Sequence, residues 1–251
     1  MRTLGVIIPG VVNEDYLGEV YRGIADAAKQ HRCSLMTSIQ NPRRQDDLSH
    51  FLGRGGCDGA VLVVPYQYDQ IIERCREAGR QCVLLDYAGD REAQLFPTVE
   101  VRNREGIVLV MQHLVELGHR RIAFITGAME HDSAHQRLRG YEEGLKAAGI
   151  AYNPALVVIG SWLPPENYTA SQQLFQLRPL PTAIVTSSDI AALATYRVAR
   201  ECGVEIGREI SVTGFDDVRA ASTSSPPLTT VRQPIYQLGQ VAIDMLVRRL
   251  N

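Results

Sequence analysis

The 251-residue sequence is most informative first in what it lacks. No apolar run approaches the roughly 20 residues that span a bilayer, which excludes a membrane-crossing helix and predicts a chain with no membrane partner. The start, Met1-Arg2-Thr3-Leu4, runs straight into an apolar strand without the apolar core or cleavage site of a secretory signal. The five cysteines, Cys33, Cys57, Cys75, Cys82 and Cys202, are odd in number and contain no CxxC pair. That usage fits reduced, individually buried thiols in the cytoplasm and argues against a disulfide framework. Charge of one sign is also missing. Lysine and arginine total 26 against 28 acids, a net −2, and the basic clusters Arg43-Arg44, His119-Arg120-Arg121 and Arg248-Arg249 are short and scattered. The chain itself therefore lacks the basic face of a nucleic-acid binder.

Catalytic signatures are equally scarce. There is no G-x-S-x-G elbow, no phosphate-binding G-x-x-x-x-G-K-[ST] loop, and no G-x-G-x-x-G after the first strand. Gly53, Gly55 and Gly56 follow a helical pattern and read as a helix stop and turn. His131 and His135 have the four-residue spacing of a helical zinc pair. However, Asp132 or Ser133 is a good helix N-cap, which would leave His131 outside the helix, so no metal is expected. His119 follows the helix-stopping Gly118 and reads as a turn residue. Asn167-Tyr168-Thr169 matches a glycosylation sequon that carries no meaning without a secretory signal. No catalytic residue, cofactor or metal is predicted, and the chain is expected not to be an enzyme.

What the sequence does contain is a rhythm of short β-branched runs alternating with amphipathic helices. Runs such as Gly59-Ala60-Val61-Leu62-Val63-Val64 suit strands buried on both faces, as in parallel sheets. Val20, Ile24, Ala27 and Ala28 form one apolar stripe at helical spacing. Strands are expected at 4–8, 34–38, 60–64, 82–85 and 98–101, then at 121–126, 156–159, 183–186, 210–214 and 229–232. A helix at 235–250 closes the chain after Pro234. The pattern also repeats at an offset of about 117 residues. Leu4-Gly5-Val6-Ile7-Ile8-Pro9 is echoed by Ile122-Ala123-Phe124-Ile125-Thr126-Gly127. Tyr21-Arg22-Gly23-Ile24 with Lys29 is echoed by Leu138-Arg139-Gly140-Tyr141 with Lys146. Val83-Leu84-Leu85-Asp86 and Ser211-Val212-Thr213-Gly214-Phe215-Asp216 both carry an apolar strand to an aspartate. The fold class predicted is α/β, as two similar doubly wound parallel-sheet lobes joined by a multi-crossover hinge. The expected lobes are residues 1–101 with 233–251, and residues 102–232.

Ligands of open α/β sheets bind beyond the carboxyl ends of the strands, so a cleft between facing lobes is the expected site. Asp86 and Asp216 stand at strand ends, where a carboxylate can accept hydroxyl hydrogen bonds from a sugar or other polyol. The alternative for each is a helix cap or a pairing with a nearby arginine, which is the preferred reading for Asp217. Trp162, the sole tryptophan, lies in the loop Gly160-Ser161-Trp162-Leu163-Pro164-Pro165 and would stack on a ligand face or anchor its own loop. Arg137, near the start of a helix, is placed to fork onto ligand oxygens.

Four segments, in order along most of the chain, resemble the LacI/GalR regulators. They are Leu117-Gly118-His119-Arg120-Arg121-Ile122-Ala123-Phe124-Ile125, Arg137-Leu138-Arg139-Gly140-Tyr141, Ser211-Val212-Thr213-Gly214-Phe215-Asp216-Asp217 and Pro226-Pro227-Leu228-Thr229-Thr230-Val231-Arg232-Gln233-Pro234. The resemblance implies a periplasmic-binding-protein-like fold of type I with three crossovers. It implies a ligand site drawn from Asn13, Asp15, Tyr16, Asp86, Arg137, Trp162, Ser188 and Asp216. It further implies a small-molecule effector, a sugar for preference, and a homodimer that controls transcription. The family's helix-turn-helix and hinge helix would precede residue 1, and its final strands would follow Asn251, so DNA would be met only through a domain outside this chain. A transport-associated periplasmic sugar-binding protein of the same fold is the alternative. Departures from the family pattern bear on the effector. Asn13-Glu14-Asp15-Tyr16 replaces N-P-F-F, Val101-Arg102-Asn103 replaces V-D-N, Ser188-Asp189 replaces N-D, and His135 stands where arginine is frequent.

Overall fold

The computed structural model describes residues 1–9, 14–40, 48–53, 55–63, 68–86 and 96–251. Within them the chain divides into two compact units, Met1–Val101 with Pro234–Asn251, and Arg102–Gln233.

The first unit opens with β1 (Thr3–Pro9), α1 (Glu14–Gln30), β2 (Ser34–Gln40) and a single helical turn, α2 (Ser49–Leu52). It continues with β3 (Gly59–Val63), α3 (Tyr68–Glu77), β4 (Gln81–Leu85) and the two-residue β5 (Thr98–Val99). The second unit runs through α4 (Asn103–Glu116), β6 (Ile122–Ile125), α5 (Asp132–Ala147), β7 (Val157–Val158), α6 (Pro164–Phe175) and β8 (Ala183–Thr186). It ends with α7 (Asp189–Glu201), β9 (Ser211–Asp216), α8 (Arg219–Thr223) and β10 (Thr229–Arg232), after which α9 (Ile235–Leu250) returns to the first unit. Both sheets have five strands, and every pairing named between them is parallel. Their orders are β2-β1-β3-β4-β5 and β10-β9-β8-β6-β7. Counted from the start of each unit, the two orders are the same, so the repeat in the sequence is a repeat of topology.

Strands covered on both faces explain the unbroken apolar runs. In the first unit Leu4, Val6, Val61, Val63, Val83 and Leu85 point to one face, with α1 and α9. Ile7, Ala60, Leu62, Cys82 and Leu84 point to the other, with Leu48, Phe51, Ile72 and Cys75. Helices α1 and α9 touch backbone to backbone. A Cβ on Gly23 would lie 2.0 Å from the Tyr236 carbonyl oxygen, and one on Gly239 would lie 2.2 Å from that of Val20. In the second unit Ile122, Phe124, Ala183 and Val185 pack towards α4 and α5. Ala123, Ile125 and Ile184 pack towards α6 and α7. Tyr141 stacks on Phe124 at 5.0 Å between ring centroids and donates its hydroxyl to the Ile122 carbonyl at 2.8 Å.

Several local expectations need correction. The thiols are not individually buried: Cys57, Cys75 and Cys82 share one cluster, Cys33 is half-buried and Cys202 is exposed. Burial pushes the Cys57 thiol up to about 11, and the hydrogen bond with Cys75 together with burial pushes that of Cys82 up further. Such thiols are poor nucleophiles. His131, rather than Asp132 or Ser133, occupies the N-cap position of α5 and makes no side-chain cap bond there. The strand expected at 156–159 shrinks to two residues, because a 3-10 turn at Pro154–Leu156, capped by the Asn153 side chain, occupies its start. Ile159 beyond it is 73% exposed. In the same sheet β9 runs two residues past its expected end, through Asp216. No helix among the described residues is long and apolar enough to cross a membrane.

Candidate ligand site

The carboxyl ends of the strands of the second unit bring polar side chains onto one edge of its sheet. At the end of β9 the backbone leaves ordinary geometry. Asp216 has φ 127° and Asp217 φ 60°, consecutive left-handed residues that each cost about 1–3 kcal/mol outside glycine. Asp86, following β4 in the first unit, repeats the feature at φ 58°. Both strand-end aspartates singled out in the sequence thus sit on strained backbone, a condition that persists only where the surroundings impose it.

Arg137, on the second turn of α5, is the centre of the cluster and is 3% exposed. Its Nε donates to Asn103 Oδ1 at 2.8 Å, and its Nη1 donates to the Ser187 carbonyl. The guanidinium lies over the Phe215 ring at 3.9 Å and near the Trp162 ring at 5.5 Å. Nη1 stands 3.9 Å from Asp216 Oδ1, which also accepts from Gln233 Nε2 at 2.6 Å. Arginine suits this position, because a charge held among aromatic faces and carbonyls keeps a rigid fork of donors in a dry setting.

Trp162 is held by its loop. Asn167, fully buried, accepts from Ser161 N–H at 2.9 Å and donates to the carbonyls of Ser161 and Leu163 at 3.0 and 2.9 Å. The sequon asparagine is therefore the knot of the tryptophan loop. Behind the indole stands Gly127, where a Cβ would lie 2.1 Å from the ring. His131 meets the indole edge-on at 5.9 Å. Four buried polar atoms of this unit have no partner in the protein: Trp162 Nε1, Ser187 Oγ, Thr213 Oγ1 and Gln233 Oε1. Three of them sit at strand ends or in the tryptophan loop. A donor, a hydroxyl and an acceptor left unsatisfied at one edge cost about 1–3 kcal/mol each unless something hydrogen-bonds them.

The eight residues expected to line a site are thus distributed unevenly. Arg137, Trp162 and Asp216 come together. Ser188 is beside them but is engaged as the N-cap of α7, its Oγ accepting from Ala191 N–H at 3.2 Å. Tyr16 lies in the apolar cluster of the first unit, with Leu4 and Val6. Asp15 is exposed at the start of α1, and Asp86 is half-buried with its N–H donating to the Val99 carbonyl at 2.8 Å. Asn13 lies outside the described residues. Sequence reasoning passed over Asn103, Ser187, Phe215 and Gln233. Gln233 closes a motif quoted above and follows a strand end, a signal that could have found it. Among the described residues no group of three His, Cys, Asp or Glu side chains could hold a metal.

Comparison with known proteins bears on this geometry. Residues 111–251 match a family described as periplasmic binding protein-like domain. The transcriptional repressor PurR of Edwardsiella ictaluri is 32% identical over 240 residues, spanning 94% of this chain and 70% of that protein. A LacI family transcriptional regulator from Mycobacterium smegmatis, known from its crystal structure, superposes with a TM-score of 0.88 at 29% identity, covering 98% of this chain and 90% of the other. The regulator CelR in complex with cellobiose gives 0.90 at 27% identity, covering 100% and 78%.

Proposed function

This chain belongs to the LacI family of transcription regulators through its periplasmic binding protein-like domain, and from that premise we propose that it senses a small polyhydroxylated effector, a sugar, through the strand-end cluster around Arg137. The observation that carries the reading is the set of buried, unpartnered atoms at that edge: an indole N–H, a serine hydroxyl and a glutamine carbonyl. A polyol offers both donors and acceptors on one small frame and can satisfy all three. Trp162 supplies a flat face for the sugar ring, Arg137 donates to hydroxyl oxygens, and Asp216 accepts from hydroxyls. The cellobiose held by CelR is the same class of ligand.

Effector binding in this reading regulates transcription rather than transport or catalysis, as the relatives are regulators. The working species is a cytoplasmic homodimer that meets DNA through a further domain. A ligand that prefers one state of the sensor shifts the DNA-binding equilibrium by its differential affinity, about 1–3 kcal/mol per effector.

A thermal-shift screen of sugars, sugar phosphates, nucleosides and organic acids tests the assignment. A ligand at 100 times its dissociation constant adds about 2.7 kcal/mol to folded stability. The expected result is a shift with a sugar that Asp216→Ala abolishes, accompanied by a change in Trp162 fluorescence. Binding that survives Asp216→Ala and leaves Trp162 unchanged would remove the ligand from this edge.

A further inference from the structure

Asp189, first residue of α7, is a fully buried carboxylate that touches neither Arg137 nor Trp162. Its partners lie on β10 and in the turn that follows β9. Oδ1 accepts the Thr230 hydroxyl at 2.5 Å, Oδ2 accepts the Val218 N–H at 2.9 Å, and the Asp217 N–H hydrogen-bonds the same group. The space it fills exists because residue 214 is glycine: a Cβ there would lie 2.2 Å from Oδ1. Asp217 and Val218 are the residues that follow Asp216 through the left-handed turn. Two successive N–H groups point at one carboxylate only when the backbone curls around it, as in the amide concavities that bind anions. The start of α7 adds the favourable end of a helix dipole to the same carboxylate.

We infer that Asp189 is a positioning residue of the ligand site: its carboxylate holds the Asp216–Asp217 turn in left-handed backbone and so aims the Asp216 side chain at Arg137 and Gln233. The inference rests on Asp216 belonging to that site. It gives a physical reason for the acid of Ser188-Asp189, which family resemblance alone leaves as a motif letter. It also makes the site sensitive to the ionisation of a residue that never meets the ligand, because a protonated carboxyl can no longer accept from both sides. Burial raises Asp189 to about 6, against the hydrogen bonds from Thr230 and the two backbone amides. The charged groups around it are few. Asp217 raises it further and is itself paired with Arg232, and β9 ends on Asp216. β8 brings no charge, while Arg219 of α8 and Glu166 of α6 are exposed.

The test uses the full chain without ligand, labelled with nitrogen-15, so it stands apart from whether a sugar binds. The Arg137 Nε–H resonance reports on Asp216 beside it, and exchange of the Val218 amide reports on the turn. In Asp189→Asn the Arg137 resonance is expected to move, and Val218 exchange to quicken at least tenfold. The wild-type Arg137 resonance is expected to make the same move as pH falls, with a midpoint near 6, and Asp189→Asn to show no such titration. Thr230→Val, which removes one hydrogen bond to the ionised form, is expected to raise that midpoint while leaving the high-pH spectrum unchanged. An Arg137 resonance unmoved in Asp189→Asn overturns the inference. So does a titration that persists in that variant, which would place its origin at another group such as His131. If Asp189→Asn fails to fold, the midpoint in Thr230→Val decides, and an unshifted midpoint counts against Asp189.

Discussion

Replacing Arg137 with methionine keeps an unbranched apolar stem and deletes the charge, and the surroundings set the cost. The variant loses two charge-assisted hydrogen bonds, to Asn103 Oδ1 and to the Ser187 carbonyl, each worth about 1.5–3 kcal/mol. It loses a cation–π contact with Phe215 at 3.9 Å, worth up to about 2 kcal/mol in a dry site. Methionine keeps much of the packing and relieves the desolvation of the guanidinium, so these terms do not simply add. Removing one member of a buried ion pair usually costs about 3–5 kcal/mol, and we expect Arg137→Met to fall in that range. Asp216→Asn should cost less, about 1–2 kcal/mol, because an amide oxygen can still accept from Gln233 Nε2. At 3.9 Å, with both side chains under a tenth exposed, the two charges should be coupled by about 1–3 kcal/mol. Urea unfolding followed by Trp162 fluorescence measures the cycle, and the sole tryptophan lies in the second unit, so the signal reports that unit. Additivity within about 0.5 kcal/mol in the double variant, or a cost below about 1 kcal/mol for Arg137→Met, would refute the picture of an electrostatically organised site.

Two further outcomes follow from single positions. Gly127→Ala puts a methyl where the Trp162 ring stands, since the Cβ would lie 2.1 Å from it. The indole must tilt away from its bed, shifting tryptophan emission to longer wavelength at a stability cost of about 1–3 kcal/mol, and an unchanged spectrum would show the ring is not seated against residue 127. The second outcome concerns acid. Burial raises Asp189 from the ordinary carboxylate range to about 6, so the folded state holds its proton more tightly than the unfolded chain does. Its stabilising increment is full below about pH 4 and is lost as pH rises through about 6, a difference on the order of 3 kcal/mol. Urea midpoints of the wild type relative to Asp189→Asn should therefore fall between pH 4 and pH 7, and a rise over that interval would contradict the assignment.

The fold was legible because its strands are buried on both faces and so leave continuous apolar runs such as Gly59–Val63, and because the order of elements occurs twice. The edge strands were read too long. β5 and β7 pair through only two residues each, and edge residues such as Ile159 carry the β-branched composition of a strand without its partners. In the candidate site of the second unit, Arg137, Trp162 and Asp216 could be picked out because strand ends and the segments after them are where polar side chains accumulate. Ser187 could not be picked out, since its role depends on neighbours from other strands, whereas Gln233 carried a signal in its motif and in its place after β10. Tyr16 carries two signals at once: an aromatic after the first strand suits a ligand face, and helical spacing with Val20 and Ile24 places it in the apolar cluster of α1. Positive φ at non-glycine residues left no trace in the composition. Only the hydrogen bonds to Asp189 explain why aspartates can occupy that turn.

Helix α9 buries Ile235, Leu238, Ala242, Ile243, Leu246 and Val247 and shares one apolar cluster with Val20 and Ile24 of α1. On the ribosome this reverses the usual order of folding. Residues 102–233 form a continuous unit that can close its own core while synthesis proceeds, although it is made second. The unit begun at residue 1 must wait, with one face of its sheet covered by α1 but not yet by α9, until residues 234–251 have emerged. During that interval its exposed strands are the chain's main liability for aggregation and for capture by chaperones, and a chain truncated after Gln233 should show a protease-resistant second unit attached to a protease-sensitive first one.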